Sequence, residues 1–273
     1  MALLCVFSVG IPFLMSSARL NATVNAAIDQ ESVLLMSSYQ STVKWKSSKE
    51  FKVLRKNGGS TDTYKANEIY TGMPYTQITD KKIGEFLDCC TYQNGKAYLS
   101  YITDQKTLEL KSTVLPANGG YWNFGNDCST AVTLAWSTCY PEIKYSEINT
   151  ETFLTCAKNG SYSTYHLKTV GGYKTGNISS TKDYCVDKST NQSRHDAVIG
   201  YYRAMVKGDS LFYRKPGQGH ALLVISVSGN GVRVTEQCGL SGKSSWKTNK
   251  YYSFEDLYNK GYLPISCTNI ARY

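Results

Sequence analysis

The sequence predicts an α+β fold, and three observations carry that prediction. In "GNDCSTAVTLAWSTC" (125–139), Ala131, Val132, Ala135, Trp136 and Cys139 follow Cys128 at helical spacing. Residues 207–237 instead read as strands at 211–214, 220–227 and 232–237, separated by turns at Gly208-Asp209 and Gly229–Gly231. Helix comes first and antiparallel strands come later, the order of an α+β domain. The chain has 273 residues, 41% hydrophobic and 19% charged, enough for one large core and too apolar for a disordered protein.

Along the chain, residues 2–18 come first, "ALLCVFSVGIPFLMSSA", without a charge. Their length and their small residues at Ser16–Ala18 fit an export signal. No Lys or Arg precedes the run, so a truncated start, a retained anchor or a buried helix are the alternatives. Residues 19–43 are polar with scattered Ala and Leu and read as a linker, an N-terminal extension or a loose amphipathic helix. A main domain is expected over 44–273. Within it, "TGMPYTQ" (71–77) is a turn-like loop built on Gly72 and Pro74. "ANGGYW" (117–122) is a glycine turn leading to the helix at Cys128. Residues 140–195, rich in Ser, Thr, Asn, Tyr and Gly, read as an insertion of loops and short strands. "AVIGYYRAMV" (197–206) suits a short helix.

Net charge is +9, with the densest basic run at Lys44, Lys46, Lys49, Lys52, Arg55 and Lys56. On an exported protein such charge suits an anionic wall polymer. No nucleic-acid-binding motif is present, so nucleic acid is not an expected partner. The nine cysteines are at 5, 89, 90, 128, 139, 156, 185, 238 and 267. An odd count leaves at least one unpaired within the chain. Without a C-x-x-C step or His at metal spacing, no zinc site and no cofactor are expected. Disulfides among Cys139, Cys156, Cys185, Cys238 and Cys267 would need an oxidising compartment. Cys89 and Cys90 read as two buried thiols.

Cys128 has a distinct position. Asp127 or Asn126 can cap the helix, which leaves the thiol in its first turn. The positive end of a helix favours a thiolate, and its free amides can hold an oxyanion during acyl transfer. A nucleophile there needs a base. His166 and His195 lie in polar, loop-like surroundings and read as surface or locally bonded. His220 opens "HALLVISV", the most apolar strand, which would hold its ring rigidly at a cleft edge. A third group should orient the imidazole. If Gly229-Asn230-Gly231 is a three-residue hairpin loop, Glu236 faces Val224 and shares a sheet face with His220. A two-residue loop would favour Gln237 instead.

With "GNDCSTA", "KGDSLF", "GHALLVISV" and "VTEQ" in this order, residues from about 66 to 237 resemble the NlpC-type cell-wall cysteine peptidases, whose papain-like core is shared by CHAP amidases. Asp127-Cys128-Ser129, Gly208-Asp209 and Gly219-His220 carry the likeness. Tyr75 in "GMPYTQ" matches the family's tyrosine beside the nucleophile. Thr130 stands where the family has Gly, the spacing from Cys128 to His220 is longer than usual, and Glu236 is closer to the CHAP pattern. The resemblance implies a helix carrying the Cys packed on an antiparallel sheet carrying the His. It implies Cys128, His220 and Glu236 as catalytic residues, and Tyr75, Asp127 and Ser129 around the substrate or oxyanion. The implied function is a secreted or wall-associated, monomeric thiol hydrolase of peptidoglycan peptide or amide bonds, needing no metal, with membrane contact only if residues 2–18 are retained. The alternatives are a catalytically silent wall-binding module and an acyltransferase on the same fold.

Overall fold

The computed structural model describes residues 28–91, 106–185 and 191–272. The apolar run 2–18 and Cys5 lie outside them. Among the described residues, seven α-helices, the second of them α2 (Ile83–Asp88), accompany thirteen strands in an α+β arrangement. Eleven strands form one sheet in the order β5-β6-β1-β4-β12-β11-β10-β9-β13-β8-β7, with β5 (Cys90–Thr91) at one edge and β13 (Leu263–Cys267) between β9 and β8, and β2 (Phe51–Leu54) pairs with β3 (Thr61–Tyr64) as a separate hairpin. The sheet is mixed rather than antiparallel. Its middle, β9 (Ser210–Lys215), β10 (Gln218–Ser228), β11 (Gly231–Ser241) and β12 (Ser244–Ser253), is antiparallel as expected. However, β4 (Tyr70–Thr71) joins β12 in parallel, and β1 (Lys44–Lys46) joins β6 (Leu108–Leu110) in parallel. Those edge strands are too short to have a readable period.

Two further stretches are legible largely from composition. Of the alternatives for 19–43, the described part forms the helix: α1 (Gln30–Thr42) is capped by Asp29, whose carboxylate accepts the Ser32 amide, and Val33 is fully buried. Gln40 ties α1 to α3 (Cys128–Cys139) by donating to the Ala131 carbonyl at 3.3 Å. Residues 140–195 hold the expected short strands, β7 (Ser161–Tyr162) and β8 (Leu167–Thr169), but helices stand where loops were expected: α4 (Thr150–Asn159), α5 (Thr181–Tyr184) and the start of α6 (Gln192–Arg203). Their many Ser, Thr and Asn residues serve as caps, such as Asn149 on α4 and Ser180 on α5, while Phe153, Leu154 and Cys156 enter the main core. His195 accordingly lies on α6, buried between Asp196 and Glu255 at 3.1 and 3.0 Å, and not on a polar loop.

Residues 128–136 of α3 are buried on every side, because α1 covers one face and β10 and β11 the other. Trp136 closes this layer by donating its indole N–H to the Gly208 carbonyl at 2.7 Å. Asp209 of the "KGD" step is fully buried, bonded to the Val206 amide and to Arg272; it shapes the entry to β9 and stands apart from the cleft. A second core of Trp45, Phe51, Tyr64, Tyr70 and Phe86 lies under the β2–β3 hairpin. The eight described cysteines are free thiols, so none of the candidate disulfides forms among them; Cys90 is buried and Cys89 half-buried.

Candidate active site

Cys128 is the first residue of α3, and Asp127 is its N-cap. The Asp127 carboxylate accepts the Thr130 amide and the Ser129 hydroxyl, both at 2.8 Å, and its carbonyl accepts the Ala131 amide. Helix geometry then leaves the Cys128 and Ser129 amides without an intrahelical acceptor. Asp127 and Ser129, expected around the substrate, therefore spend their side chains on the cap. Ser129 is 2% exposed, so its contribution to a bound oxyanion rests on its amide.

The loop carrying Tyr75 runs beside this helix start. Tyr75 and Asn126 form a parallel bridge, the Thr76 amide donates to the Asn126 carbonyl, and the Asn126 amide to that of Pro74. Gly125 makes this approach feasible: at its φ of 155°, a Cβ would lie 2.2 Å from the Pro74 oxygen. The Gln77 side-chain amide donates to the Tyr75 hydroxyl at 2.8 Å, which leaves the hydroxyl proton for another acceptor. Burial, and then the charge on Cys128, hold the phenol above its ordinary pKa, so Tyr75 stays a donor.

His220 is the third residue of β10, with the Cys128 sulfur close enough to act on its charge. Its Nε2 lies 2.7 Å from Glu236 Oε2, leaving Nδ1 as the nitrogen for the sulfur. The hairpin that sets this pair has a two-residue turn, since Ser228 pairs with Gly231. The three-residue loop was the wrong register, and on its own the two-residue turn would turn Glu236 away. A bulge at Ile225 restores it: Val224 pairs with Val234 and Leu223 with Thr235, which puts Glu236 back on the face of His220. Gln237, the alternative, is 1% exposed and donates to the Met73 and Pro74 carbonyls at 3.1 and 2.9 Å. It anchors the Tyr75 loop and does not approach His220.

Glu236 is 4% exposed, a costly position for a carboxylate without partners. Lys250 supplies one at 2.9 Å on Oε1 and also bonds the Tyr252 hydroxyl. A second irregularity, between Val234 and Glu236 on β11 where Asn249 of β12 has a φ of 57°, brings Lys250 over it. Burial pushes the Glu236 carboxyl up, but His220 and Lys250 outweigh it and hold it at about 2. Burial likewise opposes a charge on His220, yet the Cys128 sulfur and then Glu236 raise the imidazole to about 10. The arrangement places a charged imidazole between the Cys128 sulfur and a carboxylate. Lys250, Tyr252 and Gln77 carry no sequence signal of this role; the first two depend on bulges, the last on a loop geometry.

His220 opens onto a cleft of about 440 Å³ that also meets Tyr75 and Gln77, and Cys128 onto a second of about 230 Å³. His166, in contrast, lies near Glu142 and Tyr140, apart from both clefts. Among the described residues no cluster of His, Cys, Asp or Glu could hold a metal, and no helix is long and apolar enough to cross a membrane. No family model matches the chain, and neither a curated protein nor a solved structure is significantly similar to it.

Proposed function

We propose that the protein is a thiol hydrolase of peptide or amide bonds, with wall peptides of the peptidoglycan type as substrate. The observation that carries this reading is the continuous Cys128–His220–Glu236 line at the start of a helix. A papain-like core of the NlpC or CHAP kind is the matching fold proposal, supported by a Cys-bearing helix packed on the strand that carries the His.

In the proposed reaction, the Cys128 thiolate adds to the carbonyl carbon and a C–S bond forms. The negative charge moves to the carbonyl oxygen, where the free amides of Cys128 and Ser129 and the Tyr75 hydroxyl can receive it. The C–N bond breaks as the imidazolium Nδ1 proton passes to the departing amine. Neutral His220 then takes a proton from water, the hydroxide attacks the thioester, and the C–S bond breaks to return the thiolate. Glu236 keeps the ring oriented and offsets its charge in both halves of the cycle. Export to the wall belongs to the same proposal and rests on residues 2–18.

Mass spectrometry of purified wall fragments after incubation with the protein tests this reading. A hydrolase yields two products whose masses sum to that of the substrate plus one water. Unchanged fragments would remove the wall-peptide assignment, and products joined to an added amine would make the enzyme an acyltransferase.

A further inference from the structure

The two clefts that meet at the candidate site differ in charge. The larger runs from His220, Tyr75 and Gln77 toward the β2–β3 hairpin, and beyond His220 its charged lining is Arg55 and Lys56, with no carboxylate. In the smaller one, Arg214 is matched by Glu151 at 2.8 Å, and Asp127 is occupied by the cap.

Arg55 is held in place from several directions. Its Nε and Nη2 donate to Asp62 Oδ1 at 2.8 and 2.6 Å, and Nη2 also reaches the Leu240 carbonyl at 3.3 Å. Asp62 is 4% exposed and gives its other oxygen to the Leu240 amide, so it lies beneath the cleft wall and not in it. Nη1 is left out of these bonds. The guanidinium lies flat against Gly239, where a Cβ would come within 2.0 Å of Cζ. The Arg55 carbonyl accepts the Gln77 amide at 2.8 Å, which fixes this residue to the loop bearing Tyr75. Cys238, in the same wall, has Arg55, Lys247 and Lys250 as cationic neighbours against Glu236. A preset guanidinium with a lysine beside it, in a concave wall, suits a carboxylate.

The two clefts also divide the reaction. His220 lines the basic one, and Cys128 the one that holds Asp127, Glu151 and Arg214. The group that His220 protonates as it departs must lie on the side of His220.

We propose that the wall formed by Arg55, Lys56 and Gly239 is a subsite for a carboxylate carried on the amine-side half of the substrate. This rests on the hydrolase reading above and narrows it to peptides whose departing half is an acidic amino acid or ends in a free carboxylate.

The test uses Cys128→Ala, which binds without turnover, and two probes: a wall stem peptide with free carboxylates, and the same peptide with them converted to carboxamides. The free-carboxylate peptide should bind about tenfold tighter, the effect of one charge-assisted contact. Adding Lys56→Gln, on an exposed side chain, or Gly239→Ala, which displaces the guanidinium without removing its charge, should bring that ratio toward one. Because the readout is a ratio, a modest loss of stability cancels. Equal binding of the two peptides, binding of neither, or a preference that both substitutions leave intact overturns the subsite. Turnover by the unmodified protein reads the parent proposal separately. Full-rate cleavage of the carboxamide peptide removes the subsite and keeps the hydrolase; cleavage of neither peptide removes the hydrolase, while the binding ratio still reports on the wall.

Discussion

Glu236 lies 2.7 Å from His220 because the bulged Ile225 offsets a two-residue turn at the far end of the same hairpin. The pair is thus set by backbone register, and Glu236→Gln should leave the fold intact. Gln can still accept the Nε2–H bond, but it removes the charge that balances the imidazolium. A loss on the order of 100-fold in kcat is expected, with KM little changed. Steady-state kinetics on a cleaved wall peptide check this; a variant as fast as the parent would leave the carboxylate without a catalytic role.

Lys250 touches Glu236 and not His220, so in the proposed reaction it would be a positioning residue. Lys250→Met should free one carboxylate oxygen and let the carboxyl pKa rise from about 2. The expected cost is about fivefold in kcat, equivalent to the ~1 kcal/mol of a part-exposed ion pair. The acid limb of the pH–rate profile should move upward, a change that a merely structural role for Lys250 would not produce. An unchanged profile would assign Lys250 to the surface alone.

The titration of His220 predicts a pH-dependent stability. Its folded pKa of about 10 lies above the ordinary 6.5, so its stabilisation is complete below pH 6.5 and fades as pH rises through about 10. Glu236 has the opposite sign: held at about 2 against an ordinary 4.5, it stabilises fully above pH 4.5 and loses this as pH falls through about 2. The difference in melting temperature between the parent and His220→Gln should therefore shrink between pH 6.5 and pH 10. A difference that grows with pH would contradict a charged His220.

His195 provides the control. It joins α6 to α7 (Phe254–Lys260) through Glu255 and packs edge-on against Tyr258. His195→Phe should cost about 1–3 kcal/mol through lost hydrogen bonds, seen in a denaturant melt, with kcat unchanged. A selective loss of kcat in the folded variant would extend the site to α6.

The sequence made Cys128 and His220 legible for physical reasons, while Tyr75 was picked out by the family resemblance. A cap followed by helical spacing exposes a first-turn thiol, an apolar strand opening on His marks a cleft edge, and Gly-x-Pro-Tyr signals a loop. Glu236 was also readable, although by an argument with two mistakes that cancel in facing: the loop is one residue shorter than assumed, and the bulge at Ile225 shifts the pairing by one more, so Glu236 aligns with Leu222 instead of Val224 and keeps the face of His220. Bulges leave no mark in an alternating pattern, which is why Lys250 and Tyr252 were not found. The same limit applies at 140–195, where the polar residues are caps on buried helices and composition alone read as loop.

The central claim is that the Cys128 thiol performs the chemistry, and it is tested most directly by amine release from wall peptides by the parent and by Cys128→Ala, with melting curves matched. The parent should release amine, and the folded variant none above background. Undiminished release by folded Cys128→Ala would contradict that claim.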